Sequence, residues 1–177
     1  MILDEYNEFA DADAGSGDLT AGSLIIGDVI PLKKAAGNFP ADGRPIYVVI
    51  QVAERFITAG TAGTVQFFLV SDENAALNDN DTGDPVLAEC TEHARTISLT
   101  TDDATALDVG VAAGTASYVA NQVGQVIMCA PLPLSSSYEK YLGIIRTIGT
   151  TTITGGKIDA FLTDEPTRWR AYADAIA

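Results

Sequence analysis

The stretch that decides the fold is Pro45–Phe56, which reads PIYVVIQVAERF. It is rich in β-branched and aromatic residues, which favour strands because their side chains pack well on a pleated, half-buried surface. Successive side chains of a strand point to opposite faces of the sheet. One face then carries Ile46, Val48, Ile50 and Val52, and the other carries Tyr47, Val49, Gln51 and Ala53. We therefore predict a long strand with one fully apolar face.

Further strand patterns follow this stretch toward the C-terminus. A turn of Gly, Thr and Ala leads into Thr64–Asp72, TVQFFLVSD, which predicts a hairpin with a longer loop. The other predicted strands are Arg95–Thr100 (with Ile97 and Leu99 inward), Val126–Leu134, Lys140–Ile148 and Thr154–Asp164. Helix patterns are few: Asp102–Val111 is a candidate for one short helix, and Glu165–Ala177 is another or an irregular tail.

About seven short strands joined by Gly, Thr and Ser turns indicate an all-β sandwich or barrel. A parallel α/β fold is excluded, because parallel strands need a long crossover that is usually helical. At 177 residues the chain fits one domain. Residues 1–23 have sparse apolar residues among Asp, Glu, Gly and Ser, which predicts an N-terminal arm. The predicted organisation is this arm, a β-sandwich over 24–165 and a C-terminal tail over 166–177.

Charge limits the classes of partner. The formal net charge is −14 and the pI is about 4.1. Nucleic-acid binding draws most of its affinity from neutralising phosphates, so an acidic surface predicts no nucleic-acid partner. No window approaches the roughly 18 consecutive apolar residues of a spanning helix, so we expect no membrane partner.

Residues that carry chemistry are scarce. The chain has one histidine, His93, and no G-x-S-x-G motif that would mark a catalytic serine. Cys90 and His93 have the spacing of half a zinc site, but closed structural sites are normally built from two such pairs. We interpret Cys90 and Cys129 as two small buried hydrophobic residues. We predict no enzymatic activity, no metal and no cofactor.

The acidic loop over 78–84 leaves one alternative open. Its Asp79-x-Asp81-x-Gly83 pattern is similar to the opening of a calcium-binding loop, in which alternate carboxylates converge on one cation. The loop lacks the bidentate acid that closes an EF-hand, and no helix is predicted on either side. A solvated turn is therefore the default interpretation.

The two ends of the chain hold the candidate interface residues. Tyr, Trp and Arg are the residue types that most often anchor interfaces. The candidates are Tyr6 and Phe9 in the arm, and Arg168, Trp169, Arg170 and Tyr172 in the tail. The alternative for Trp169 is that it covers one end of its own sandwich, and both uses are common near a chain end.

Three stretches together resemble the capsid cement (decoration) proteins of tailed bacteriophages, the family typified by that of a Bordetella phage. They are MILDEYNEFADADA over 1–14, RPIYVVIQVAERF with GTAGTVQFFLVSDENA over 44–75, and SSYEKYLGIIRTIGTTTITGGKIDAFLTDEPTRWRAY over 136–172. The most specific part is Tyr138–Leu142 followed by the Thr/Gly hairpin and Gly156–Ile158. The likeness is weakest over 86–125.

This resemblance implies a jelly-roll subunit that forms a homotrimer on the outer surface of the virion. Such trimers lie between capsomers of the major capsid protein and carry no cofactor. The acidic loop at 78–84 and the stretch Asp102–Gln125 depart from the family pattern, so the detailed contacts are not implied.

Two other classes compete with this hypothesis. A carbohydrate-binding jelly roll for host attachment would need exposed aromatic residues on a concave face. A glycoside hydrolase would need one pair of carboxylates marked out by burial, and nothing in the sequence marks such a pair. We rank the hydrolase last.

Overall fold

The computed structural model describes residues 8–13, 22–32, 45–58, 63–80, 83–96, 98–100, 102–103, 123–133, 138–149 and 152–164. Within these ranges every regular element is a β-strand. The strands are β1 (Glu8–Asp13), β2 (Gly22–Pro31), β3 (Tyr47–Thr58), β4 (Thr64–Asp72), β5 (Thr91–Arg95), β6 (Leu99–Thr100), β7 (Asp102–Asp103), β8 (Val126–Pro131), β9 (Tyr141–Gly149) and β10 (Ile153–Thr163).

The strands form two five-stranded sheets. Sheet A has the order β1-β10-β3, and both β8 and the short β7 pair with β3. Sheet B has the order β2-β9-β4, and both β5 and the short β6 pair with β4. All pairs are antiparallel except that of β3 with the two-residue β7. The predicted all-β antiparallel sandwich is therefore confirmed.

The pairing of the long strands is nested. The first long strand pairs with the last (β1 with β10), and the second with the last but one (β2 with β9). Inside these, β3 pairs with β8 and β4 with β5. This order arises when one long antiparallel hairpin of eight strands is wrapped into two sheets. It is the topology of a jelly roll.

The core lies between the two sheets. Val48, Ile50 and Val52 are buried in it and Ile46 packs against it, which confirms the predicted apolar face of β3. Sheet B contributes alternate residues of β4 and β9 in the same way. The rings of Phe56 and Phe67, one from each sheet, have centroids 5.6 Å apart. Alternation along the strands therefore places the core where the sequence predicts it.

A second, smaller cluster lies on the outer face of sheet B. Phe68, Val70 and Ile145 point away from the main core and are buried with Leu77. Leu77 belongs to the connection between β4 and β5, which also brings Leu87 against the cluster. This long connection therefore folds back over sheet B, and it fixes the positions of the residues at the β4–β5 end.

The predicted arm needs a correction. Glu8–Asp13 is strand β1, paired with β10, and Phe9 is 1% exposed within the main core. Phe9 is thus a buried core residue of this chain and not a free interface residue. The strand escaped prediction because its pairing shifts register twice within six residues, which hides the alternation of side chains. Strand β2 also begins before the predicted boundary, at Gly22.

The other candidate interface residues, Tyr6, Arg168, Trp169, Arg170 and Tyr172, lie outside the described residues. The same holds for most of the helix predicted over Asp102–Val111 and for that over Glu165–Ala177. For Asp102 and Asp103 the helix prediction is wrong, because these residues form β7 beside Ile57 and Thr58 of β3.

The predicted strand Arg95–Thr100 is interrupted. Strand β5 ends at Arg95 and β6 begins at Leu99. Between them, the Thr96 hydroxyl accepts a hydrogen bond from the backbone N–H of Phe67 at 3.1 Å. A side chain thus takes the place of a ladder bond at the break. Leu99 is buried in the core, as predicted.

Candidate functional site

The only histidine of the chain lies beside a buried serine. The Nε2 atom of His93 in β5 is 2.8 Å from the Oγ atom of Ser71 in β4. Ser71 is 0% exposed, and its Oγ also accepts a hydrogen bond from the backbone N–H of Glu139 at 3.1 Å. Ser71 therefore connects β5 with the residues that lead into β9.

Tyr138 packs against the same histidine. The two rings are stacked, with centroids 4.1 Å apart. The Tyr138 hydroxyl donates a hydrogen bond to the carbonyl of Pro133, just beyond β8, at 3.1 Å. Burial raises the pKa of Tyr138 to about 12, which favours the protonated hydroxyl that donates this hydrogen bond.

Thr91 adds a further contact at this end of the sandwich. Its hydroxyl donates a hydrogen bond to the Glu139 carboxylate at 2.6 Å. We call Ser71, Thr91, His93, Tyr138 and Glu139 the polar cluster. The cluster links the start of β5, the end of β4 and the segment between β8 and β9.

A serine beside a histidine is also part of a hydrolase triad, so the geometry needs testing against that chemistry. The Ser71 hydroxyl is fully buried, and a nucleophile must reach its substrate. The Nδ1 atom of His93 is buried and has no hydrogen-bond partner among the described residues. A triad needs a carboxylate at this atom to orient the imidazole. The arrangement is therefore that of a structural connection between strands, and the absence of enzymatic activity stays a prediction.

The two cysteines are both free, and they differ in environment. The Cys90 thiol donates a hydrogen bond to the carbonyl of Leu77 at 3.2 Å. Burial, together with the negative charge of Asp72, raises the pKa of Cys90 to about 12. Cys129 on β8 is exposed, so its prediction as a buried residue is wrong. Cys129 is thus the more accessible of the two thiols.

The acidic loop makes several hydrogen bonds in its described part, and one of them joins its two ends: the Asn78 side-chain amide donates to the carbonyl of Asp84 at 3.0 Å. The backbone N–H of Asp79 donates a hydrogen bond to the Glu89 carboxylate at 2.9 Å. Asp81, the second acid of the calcium-like pattern, lies outside the described residues. Among those that the structure describes, no group of three or more His, Cys, Asp or Glu residues could hold a metal ion. The prediction of no metal remains a prediction.

Strand β8 is the apolar edge of the sandwich. Its exposed residues include Val126, which is 43% exposed, together with Cys129 and Pro131. Val123, just before the strand, is 60% exposed. Within the described part of the chain β8 has one neighbour, β3. Sequence reasoning predicted the strand but not its position at an edge, although the lack of charged residues between Asp108 and Glu139 was a visible signal.

Aromatic residues do not form an exposed face in the described ranges. The aromatic side chains there are all buried or half-buried: Phe9, Tyr47, Phe56, Phe67, Phe68, Tyr138, Tyr141 and Phe161. The ranges also contain no helix that is long and apolar enough to cross a membrane.

No protein-family model matches the chain, and no curated protein matches it either.

Proposed function

We propose that the chain is a structural virion protein, a capsid cement (decoration) protein that binds outside the shell of the major capsid protein. The observation that supports this most is the nested pairing β1–β10, β2–β9, β3–β8 and β4–β5. It is the jelly-roll topology that the resemblance implies. The proposal includes a homotrimer as the binding unit, with neither a cofactor nor a nucleic-acid partner.

Binding of this kind would act through many weak contacts. A trimer that touches several capsomers makes the second and third contacts intramolecular, and their effective concentration is then high. The bridged capsomers resist separation when packaged DNA presses outward. The formal charge of −14 suits a protein that stays on the outer face, away from the DNA.

The carbohydrate-binding alternative gains no support from the described residues. It would need aromatic side chains on an open face, and the aromatic residues in those ranges are at least half-buried. A glycan array on the purified chain tests it directly.

A decoration assay tests the main proposal. Expanded, empty capsids of the phage that encodes the chain are prepared without it and mixed with the purified chain. We expect saturable co-sedimentation and a higher temperature of capsid disruption. Unexpanded procapsids are the matched control, because their capsomers are spaced differently. No binding to expanded capsids at micromolar concentration would overturn the proposal.

A further inference from the structure

Strand β8 differs in its charge from β1, β2 and β5, the other outer strands longer than two residues. Strand β1 carries the exposed Asp11, and β2 carries the exposed Asp28. Strand β5 carries Glu92 and Arg95, which form an exposed ion pair at 3.3 Å. Charged side chains on edge strands discourage pairing with another chain. Strand β8 has none, although charged residues make up 19% of the chain.

The uncharged surface continues beyond the strand itself. From Val123 to Pro133 the described chain contains no Asp, Glu, Lys or Arg. Val123, Val126, Cys129 and Pro131 are exposed along this stretch, which we call the β8 edge. Pro131 and Pro133, at the end of this stretch, oppose further strand pairing, because proline has no N–H to donate. Within the ranges that the structure describes, most of the edge therefore lacks the usual protection against association.

The charge of the molecule indicates what covers this edge. A basic partner would gain most electrostatic binding free energy on the acidic surface that a net charge of −14 creates. It would gain little of this free energy on an uncharged strip. Two copies of the chain repel each other wherever their acidic surfaces meet. They avoid that repulsion where one of the touching surfaces is neutral, and exposed valines add apolar area for contact.

We propose that the β8 edge is a surface on which a second copy of this chain docks. This inference rests on the self-association in the proposed function and assigns it to named residues. In a cyclic trimer each interface joins two different patches, so each interface contains one β8 edge and one other surface of the neighbouring copy. Cys129 lies within the contact, whereas Cys90 is the last residue of the β4–β5 connection, packed against the outer face of sheet B.

A charge substitution tests the proposal. Val126→Glu introduces an acid into the contact, and Val86→Glu is the matched control, since Val86 is exposed to a similar degree (39% against 43%) but lies in the β4–β5 connection. Both are followed by analytical ultracentrifugation without capsids, with circular dichroism to confirm the fold. We expect Val126→Glu to weaken self-association by at least about tenfold, because a buried unpaired charge is costly. Val86→Glu should associate like the parent chain.

Thiol labelling of the parent chain tests the same contact without a substitution. Cys90 reacts slowly with a maleimide because its pKa is raised to about 12, so the label reports on Cys129. We expect labelling of Cys129 to slow by about tenfold or more when the protein concentration is raised from the monomeric to the associated range. A Cys129→Ser chain gives the background rate.

Three results would overturn the proposal. They are a parent chain that stays monomeric at micromolar concentration, a folded Val126→Glu chain that associates normally, and a Cys129 labelling rate that does not change on association. Loss of capsid binding by a chain that still self-associates would instead count against the proposed function alone. The two proposals can therefore fail separately.

Discussion

The imidazole of His93 lies against the phenol ring of Tyr138, with the centroids 4.1 Å apart and the planes inclined by 29°. His93 belongs to β5, and Tyr138 to the segment that leads into β9. The same histidine reaches Ser71 in β4 through its Nε2 atom. This half-buried position lowers the pKa of His93 below its ordinary value of 6.5, because burial disfavours the charged ring. The polar cluster therefore depends on a neutral histidine.

The first prediction concerns pH. Because the pKa of His93 is lower in the folded chain than in the unfolded chain, the unfolded chain binds more protons below pH 6.5. The free energy of unfolding should therefore be unaffected by His93 above pH 6.5 and should fall as the pH drops below it. His93→Gln should remove this part of the pH dependence. Urea unfolding of both chains at about pH 7.5 and about pH 5.5 measures it.

The comparison between the two chains isolates the histidine. All other residues are the same in the two chains, so their contributions cancel in the comparison. An equal loss of stability in the two chains over this pH interval would contradict the attribution of the pH dependence to His93.

The second prediction concerns the first strand. Phe9 is buried in the main core, so Phe9→Ala should lower the free energy of unfolding by about 3–5 kcal/mol. Asp11→Ala on the same strand is the control, because Asp11 is exposed and its truncation should change stability by less than about 0.5 kcal/mol. Denaturant unfolding measures both. Were Phe9→Ala to leave stability unchanged while weakening self-association, Phe9 would be an interface residue after all.

The third prediction concerns Gly156 in β10. Its φ of +132° is strained for other residues, and a Cβ atom there would overlap the ring of Phe56. Gly156→Ala should therefore cost at least about 2 kcal/mol, from backbone strain and from overpacking. Gly83→Ala is the matched control, since Gly83 also has a positive φ (+89°) but nothing lies within 4 Å of the added atom.

A double substitution separates the two causes. Phe56→Leu removes the ring that the new Cβ atom would meet, so it should reduce the additional cost of Gly156→Ala. If the costs of the two substitutions are simply additive, the clash with Phe56 is not the reason for a glycine at this position.

The fourth prediction concerns salt. Each copy has a formal charge of −14, and the repulsion between copies is screened as ionic strength rises. The β8 edge contributes no ion pair that salt would weaken. Self-association should therefore stay unchanged or strengthen between about 10 mM and about 150 mM salt, measured by analytical ultracentrifugation. A steep loss of association over this range would mean that specific ion pairs hold the copies together.

Much of the fold could be predicted from local patterns. The alternation of Val48, Ile50 and Val52 predicts the core face of β3, and Thr64–Asp72 has the predicted bounds of β4. Such predictions succeed because the side-chain period of a strand is a local property. The polar cluster could not be predicted in this way. Ser71 and Glu139 are far apart in the chain, and neither has a sequence pattern that marks its contact with the other.

The sequence by itself determined the all-β class, the faces of the long strands and the strongly acidic character, because each depends on residue types and their spacing. The tertiary structure alone decided which strands lie at the edges. Phe9 became a core residue through the pairing of β1 with β10, and β8 lies at an edge because β3 is its one partner among the described strands. It also placed Arg146 on the inner face of β9, 1% exposed. The neighbours of a strand are set by its pairing with distant parts of the chain. The local residue pattern of a strand contains no information about which strand it pairs with.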